Sequence, residues 1–157
     1  MIFSEDILAR VAIFILAVCG FLVAKHIYKH KKANAKPLVC PIRFDCATVV
    51  HSDYSKLFGI PVEKLGMLYY ALVAIGYLFL IFSPAALPEN AILFLILLSL
   101  IAFLFSAYLI GIQIFVLKKG CSWCIVSAFI CLSIFLVTVF TYDIESILRN
   151  LIQAVGA

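Results

Sequence analysis

The cysteines are the residues with the most chemistry to offer in this 157-residue chain. There are six: Cys19, Cys40, Cys46, Cys121, Cys124 and Cys131. Cys19 and Cys131 sit inside long apolar runs, where a free thiol behaves as a small hydrophobe and simply packs. The other four form two pairs. Cys40 and Cys46 lie in a polar stretch, whereas Cys121-Ser122-Trp123-Cys124 opens an apolar one. Two thiols spaced by two residues at a helix start suit a redox disulfide, because the helix N-terminus stabilises a thiolate. The same spacing also serves zinc. Position favours redox, since a transmembrane helix has little need of a structural metal clip. His26 and His30, with Cys40 and Cys46, would offer four zinc ligands. The run from Lys25 to Lys36 reads instead as a basic juxtamembrane segment, and zinc there would leave Cys121 and Cys124 unexplained. No metal site is expected.

The elements that must position these thiols are read from hydropathy. Of the residues, 66% are hydrophobic and 13% charged, and mean hydropathy is +1.21. A soluble domain of this size has too much surface to hide so much apolar area, so lipid must be the solvent. Four apolar stretches, at about 7–24, 65–82, 91–117 and 121–142, can cross a hydrocarbon core about 30 Å thick. Lipid cannot satisfy loop backbone, so the spans are expected as helices. The fold class expected is an all-α transmembrane four-helix bundle forming a single membrane domain over 1–157. A redox loop at 25–64 would carry a short interfacial helix, and an amphipathic tail would occupy 143–157. The first stretch follows Glu5 and Asp6 rather than a basic region, and no small-residue cleavage site follows it. It is read as a permanent span.

An even number of spans puts 25–64 and 118–120 on one face, and with them both cysteine pairs. A loop pair can meet a soluble partner and hand electrons to a fixed pair beside a lipid-soluble acceptor by thiol–disulfide exchange. Side chains offer no two-electron sink beyond the disulfide, so an acceptor cofactor is required. A quinone of the ubiquinone or menaquinone type fits, since it partitions into the bilayer at the level of Cys124. Ser99, Ser106 and Gln113 in the third span read as helix-joining polar groups. No intramembrane carboxylate or basic residue marks an ion pathway.

The order of these features resembles the vitamin K epoxide reductase family, specifically its prokaryotic, quinone-linked disulfide-forming members. The resemblance rests on Cys40, five intervening residues and Cys46, followed by Ser52-Asp53-Tyr54-Ser55-Lys56-Leu57-Phe58-Gly59-Ile60-Pro61. It continues through Leu65-Gly66 and closes on Cys121-Ser122-Trp123-Cys124. DsbB-type proteins share the plan, but there the helical pair precedes the loop pair. The resemblance implies that Cys40 exchanges with a thioredoxin-like partner, Cys46 passes the disulfide to Cys121, and Cys124 faces the quinone. Ser52 matches a hydroxyl residue near that pocket. A helix begun by Ser52 or Asp53 and ended near Gly59-Ile60-Pro61 would lie over the site, consistent with the capping preferences of these residues. Tyr54, Leu57 and Phe58 would give it an apolar face suited to capping a lipophilic ring, so Tyr54 and Phe58 join Cys124 and Ser52 as expected quinone contacts. Vertebrate members carry a tyrosine four residues after the second motif cysteine, where this chain has Ala128. That favours quinone over epoxide reduction. The chain ends at Ala157 without a fused thioredoxin-like domain, so the partner is expected to be a separate protein. Reduction of vitamin K epoxide and a non-catalytic metal-binding membrane subunit are the alternatives. No nucleic-acid partner is expected.

Charge sets an orientation. Lys25, Lys29, Lys31, Lys32, Lys36, Arg43, Lys56, Lys64, Lys118 and Lys119 fall on the cysteine face, and Arg10 and Arg149 on the other, ten of the twelve cations against two. Lys and Arg are retained in the cytoplasm. The prediction is a prokaryotic, multi-pass cell-membrane protein with its active face cytoplasmic and both termini outside, inverted relative to family habit. Oxidation of cytoplasmic thiols makes sense mainly in hyperthermophiles, whose intracellular proteins can be rich in disulfides.

Overall fold

The computed structural model describes residues 2–33, 53–83, 89–118, 120–142 and 144–156. Cys40, Cys46 and Ser52 lie outside the described residues. Helix α1 is Ile2–Ala33, α2 Val62–Phe82, α3 Glu89–Ile112, α4 Ser122–Thr141 and α5 Ile144–Gly156. Four helices are long and apolar enough to cross a membrane: Asp6–Lys32, Val62–Phe82, Asn90–Leu117 and Ser122–Thr141. This is the all-α, membrane-length bundle expected from hydropathy.

Helix ends differ from the hydropathy boundaries for physical reasons. Helix α1 has 32 residues, about 48 Å at about 1.5 Å per residue, well beyond the hydrocarbon thickness. The basic run is thus helix as far as Ala33 rather than loop. Lys is a good helix former, and His30, Lys31 and Lys32 occupy a last turn whose exposed carbonyls favour cations. Helix α2 starts at Val62 rather than near 65, which brings Glu63 into its first turn, where the helix dipole favours an acid. Helix α3 continues into one π-helical stretch, Gln113–Leu117, and stops at Lys118 in the left-handed region, φ 53°.

The expected lid helix is the main departure. A single 3₁₀ turn, Asp53–Ser55, leads into a small antiparallel hairpin of β1 (Lys56–Leu57) and β2 (Ile60–Pro61). Leu57 pairs with Ile60 across a two-residue turn in which Phe58 (φ 52°) and Gly59 (φ 82°) both have positive φ. Two consecutive positive φ values match the twist of a tight hairpin. Gly59 therefore serves a strand reversal, not a helix end.

Helices α1 and α2 pack antiparallel along their length. Arg10, near the start of α1, donates to the Leu80 carbonyl near the end of α2 at 3.1 Å. At the other end Lys31 meets Glu63 at 3.3 Å. Midway, Gly20 lets the Tyr70 ring lie directly on the α1 backbone, since a Cβ there would fall 2.3 Å from the ring. Lipid tails are as apolar as leucine, so helices associate through such close packing and through polar bonds worth about 1 kcal/mol each. The Tyr70 hydroxyl bonds the Ser127 carbonyl at 2.9 Å and the Cys131 sulfur at 3.2 Å. Tyr77 reaches Thr138 at 3.2 Å. Helix α4 packs on both α1 and α3, while α2 and α3 barely touch. The space left between them is the site.

Candidate active site

Cys121 caps helix α4 in extended conformation, φ −120° and ψ 113°. Its sulfur accepts from the Cys124 backbone N–H at 3.4 Å, as an N-cap side chain does. Its carbonyl accepts from Ile125 N–H at 3.0 Å, closing the first helical turn. Its own N–H is taken by Gln113 Oε1 at 3.3 Å. The π-helical stretch thus turns a buried amide from α3 toward the head of α4, so Gln113 orients the motif as well as joining helices. Cys121 has 0% exposure and packs with Ile27, Val23, Leu117, Trp123 and Cys124. Cys121 and Cys124 are both free thiols. The Cys124 thiol donates to the Cys121 sulfur, and the backbone N–H groups of Cys124 and Trp123 add to it. Together they hold Cys121 below the usual thiol range, against burial and the Glu63 charge.

Below this pair lies a cavity of about 400 Å³. Its walls come from α2 (Leu65, Gly66, Leu68, Tyr69, Tyr70), α3 (Leu98, Ile101, Ala102, Phe105, Leu109) and α4 (Cys124, Ser127, Ala128, Cys131). Ala24 and Ile27 of α1 close one side. This is the size and apolar character of a small-molecule site. Cys124 therefore faces the cavity, while Cys121 sits behind it.

The hairpin segment forms a rim, with Tyr54, Ser55 and Leu57 on the cavity. Phe58 does not join them: it lies at the hairpin turn, 96% exposed and off the cavity. A helix would have put residues 54, 57 and 58 on one face, whereas the reversal at Phe58-Gly59 turns Phe58 away. Lys31 fixes the rim by donating to Ser55 Oγ at 3.0 Å. Its ammonium also contacts both Glu63 oxygens, at 3.3 and 3.4 Å.

Cys131 lines the cavity and bonds Tyr70, so it does more than fill core space. Its signal was present in the sequence: it follows Cys124 by seven residues, two turns along the same helix face. Cys19 is exposed on α1. The His26 and His30 rings lie tilted at 57° with centroids 4.4 Å apart, and the His26 ring lies 4.8 Å from that of Trp123. Among the described residues no three His, Cys, Asp or Glu side chains converge as metal ligands.

A helix-capping Cys-x-x-Cys pair at the head of an apolar cavity, inside a bundle of membrane-length helices, is the architecture of a membrane-embedded thiol oxidoreductase. The sequence matches the Vitamin K epoxide reductase family over residues 8–139. The chain belongs to that family. Comparison with individual curated proteins gives no match.

Proposed function

We propose that this protein makes disulfides in a separate thioredoxin-like protein and passes the electrons to a membrane quinone of the ubiquinone or menaquinone type. Cys40 exchanges with the partner, the Cys46 thiolate released by that exchange attacks a Cys121–Cys124 disulfide at Cys121, and the reduced Cys121–Cys124 pair delivers two electrons to the quinone. The observation that carries this reading is the placement of Cys124 on an apolar cavity, with Cys121 directly behind it.

Three features support it. A depressed Cys121 thiol is a better leaving group and attacking thiolate in exchange with a loop cysteine. The cavity fits the residues a quinone ring needs, with apolar walls and a few hydroxyls from Tyr54, Tyr69, Tyr70 and Ser127. Ala128 lines the cavity and brings no hydroxyl where vertebrate relatives place a tyrosine, which favours quinone over epoxide reduction.

Purified protein mixed with a reduced thioredoxin-like substrate and a short-chain quinone is the direct test. Hydroquinone forms, and Cys124→Ala abolishes it; unchanged turnover in Cys124→Ala overturns the relay. In that variant a Cys46–Cys121 mixed disulfide accumulates and is read by peptide mapping.

The active face is proposed to be cytoplasmic, on the ten-to-two bias of Lys and Arg. Helix α1 supports this, because its basic last turns project beyond the bilayer on the side of Cys121. Such a protein oxidises intracellular thiols, as suits a prokaryote with disulfide-rich cytosol. An alkaline phosphatase fusion after Ala157 is active under this orientation. An inactive fusion, with a matching cytoplasmic reporter active there, reverses it.

A further inference from the structure

The reaction proposed above moves protons as well as electrons, and the cavity offers few groups that can carry them. Cys121 and Cys124 give up two protons and two electrons as their S–S bond forms, and the quinone leaves as hydroquinone with both protons on its ring oxygens. The cavity walls are mostly hydrocarbon, tyrosine and serine. Among the described residues that line it, Glu63 is the only carboxyl.

Glu63 is well placed to act on both partners. It shares the cavity with Cys124, and Cys121 packs against that thiol. Among the described residues, Lys31 of α1 pairs with it and Cys124 of α4 shares its cavity. Its side chain is only 9% exposed and that of Lys31 12%. A nearly dry ion pair at the end of a membrane span is costly to desolvate and is weak evidence of a stabilising role. Ionisable groups at such depth mark function by default. Lys31 balances the carboxylate without occupying the cavity, since its ammonium points to Glu63 and Ser55 at the rim.

We propose that Glu63 is the proton carrier of the quinone half-reaction, taking the proton shed by Cys124 and handing it to the ring oxygen that faces this sulfur. The inference rests on the quinone-reductase reading. The carboxylate is regenerated once the proton has passed on.

The test is single-turnover reduction of a short-chain quinone by pre-reduced protein, with two further readouts. Quenching of Trp123, the single tryptophan, reports quinone affinity, and dithiothreitol reduction of the oxidised protein reports thiol exchange without quinone. Glu63→Gln slows hydroquinone formation about a hundredfold, the usual share of a general acid–base. It leaves quinone affinity and dithiothreitol reduction within about twofold, and Glu63→Asp recovers about a tenth or more of the rate. Lys31→Met, which breaks the ion pair but keeps the carboxyl, retains about a tenth or more of the parent rate. A Glu63→Gln rate within about threefold of the parent overturns the proposal. So does a Lys31→Met loss as large as that of Glu63→Gln, which would make the pair a structural latch. Failure of the quinone reading itself is distinct: Cys124→Ala would then reduce quinone as fast as the parent.

Discussion

Two interfaces of the same helix behave oppositely. On one side α2 lies flush against α1, with the Tyr70 ring seated on Gly20 and polar bonds at both ends. On the other side α2 and α3 barely touch, and a cavity of about 400 Å³ lies between them. The difference teaches where this bundle spends its packing. In lipid, helices hold together only through close approach and polar bonds, so a gap must be compensated by a seam elsewhere. Tyr70 serves both: its ring is the seam and its hydroxyl bonds the α4 wall of the gap.

Substitutions that add bulk discriminate the two interfaces. The largest effect is expected at the seam, where Gly20→Leu drives a side chain into the Tyr70 ring and destabilises by about 1–3 kcal/mol. Thermal unfolding in detergent measures it, and an unchanged midpoint would mean that the helices are free to separate. At the gap, Ala128→Leu adds similar bulk to open space. Its unfolding midpoint stays near the parent's, while quinone affinity read by Trp123 quenching falls about tenfold, roughly 1.4 kcal/mol.

A smaller effect concerns the thiols at the head of the gap. Cys121 is held low chiefly by the Cys124 thiol. A depressed thiol ionises at lower pH, so thiolate ultraviolet absorbance in reduced protein rises below the ordinary thiol value of 9.0. Removing the donor in Cys124→Ala shifts the Cys121 transition to higher pH. A shift downward, or none, would assign the depression to the helix N-terminus alone. The smallest effect is at the rim: Phe58→Ala leaves quinone affinity within about twofold, since Phe58 stands off the cavity. A tenfold loss would show that the hairpin folds inward over bound ligand.

Much of this arrangement was legible in the sequence. Hydropathy located the four spans, because lipid allows only helices where backbone meets hydrocarbon. The Cys-x-x-Cys motif announced a helix start, and Cys121 is its cap. Hydropathy marks where lipid begins, however, not where a helix ends, so the helical basic turns of α1 and the early start of α2 were missed. Missing the latter hid Glu63, which looked like a loop acid. The Ser52–Pro61 segment carried good helix caps, yet Gly59 has equal freedom to build a tight reversal, and local propensity did not choose between them. Gln113 was visible as a polar residue in an apolar span, but its aim depends on a π-helical turn with no composition signature.

The complete burial of Cys121 bears on leakage. Packed in one cluster with Ile27, Val23, Leu117 and Trp123, Cys121 is slow to meet small dissolved thiols. It behaves like an insulated contact in a circuit, closed only by a conductor shaped to reach it. Glutathione-like reductants, abundant and indiscriminate, would meet packed side chains instead of the sulfur. Electron flow would then be set by the chosen protein rather than by the bulk thiol pool. Opening that insulation with Ile27→Ala would let small thiols drain directly into the membrane acceptor.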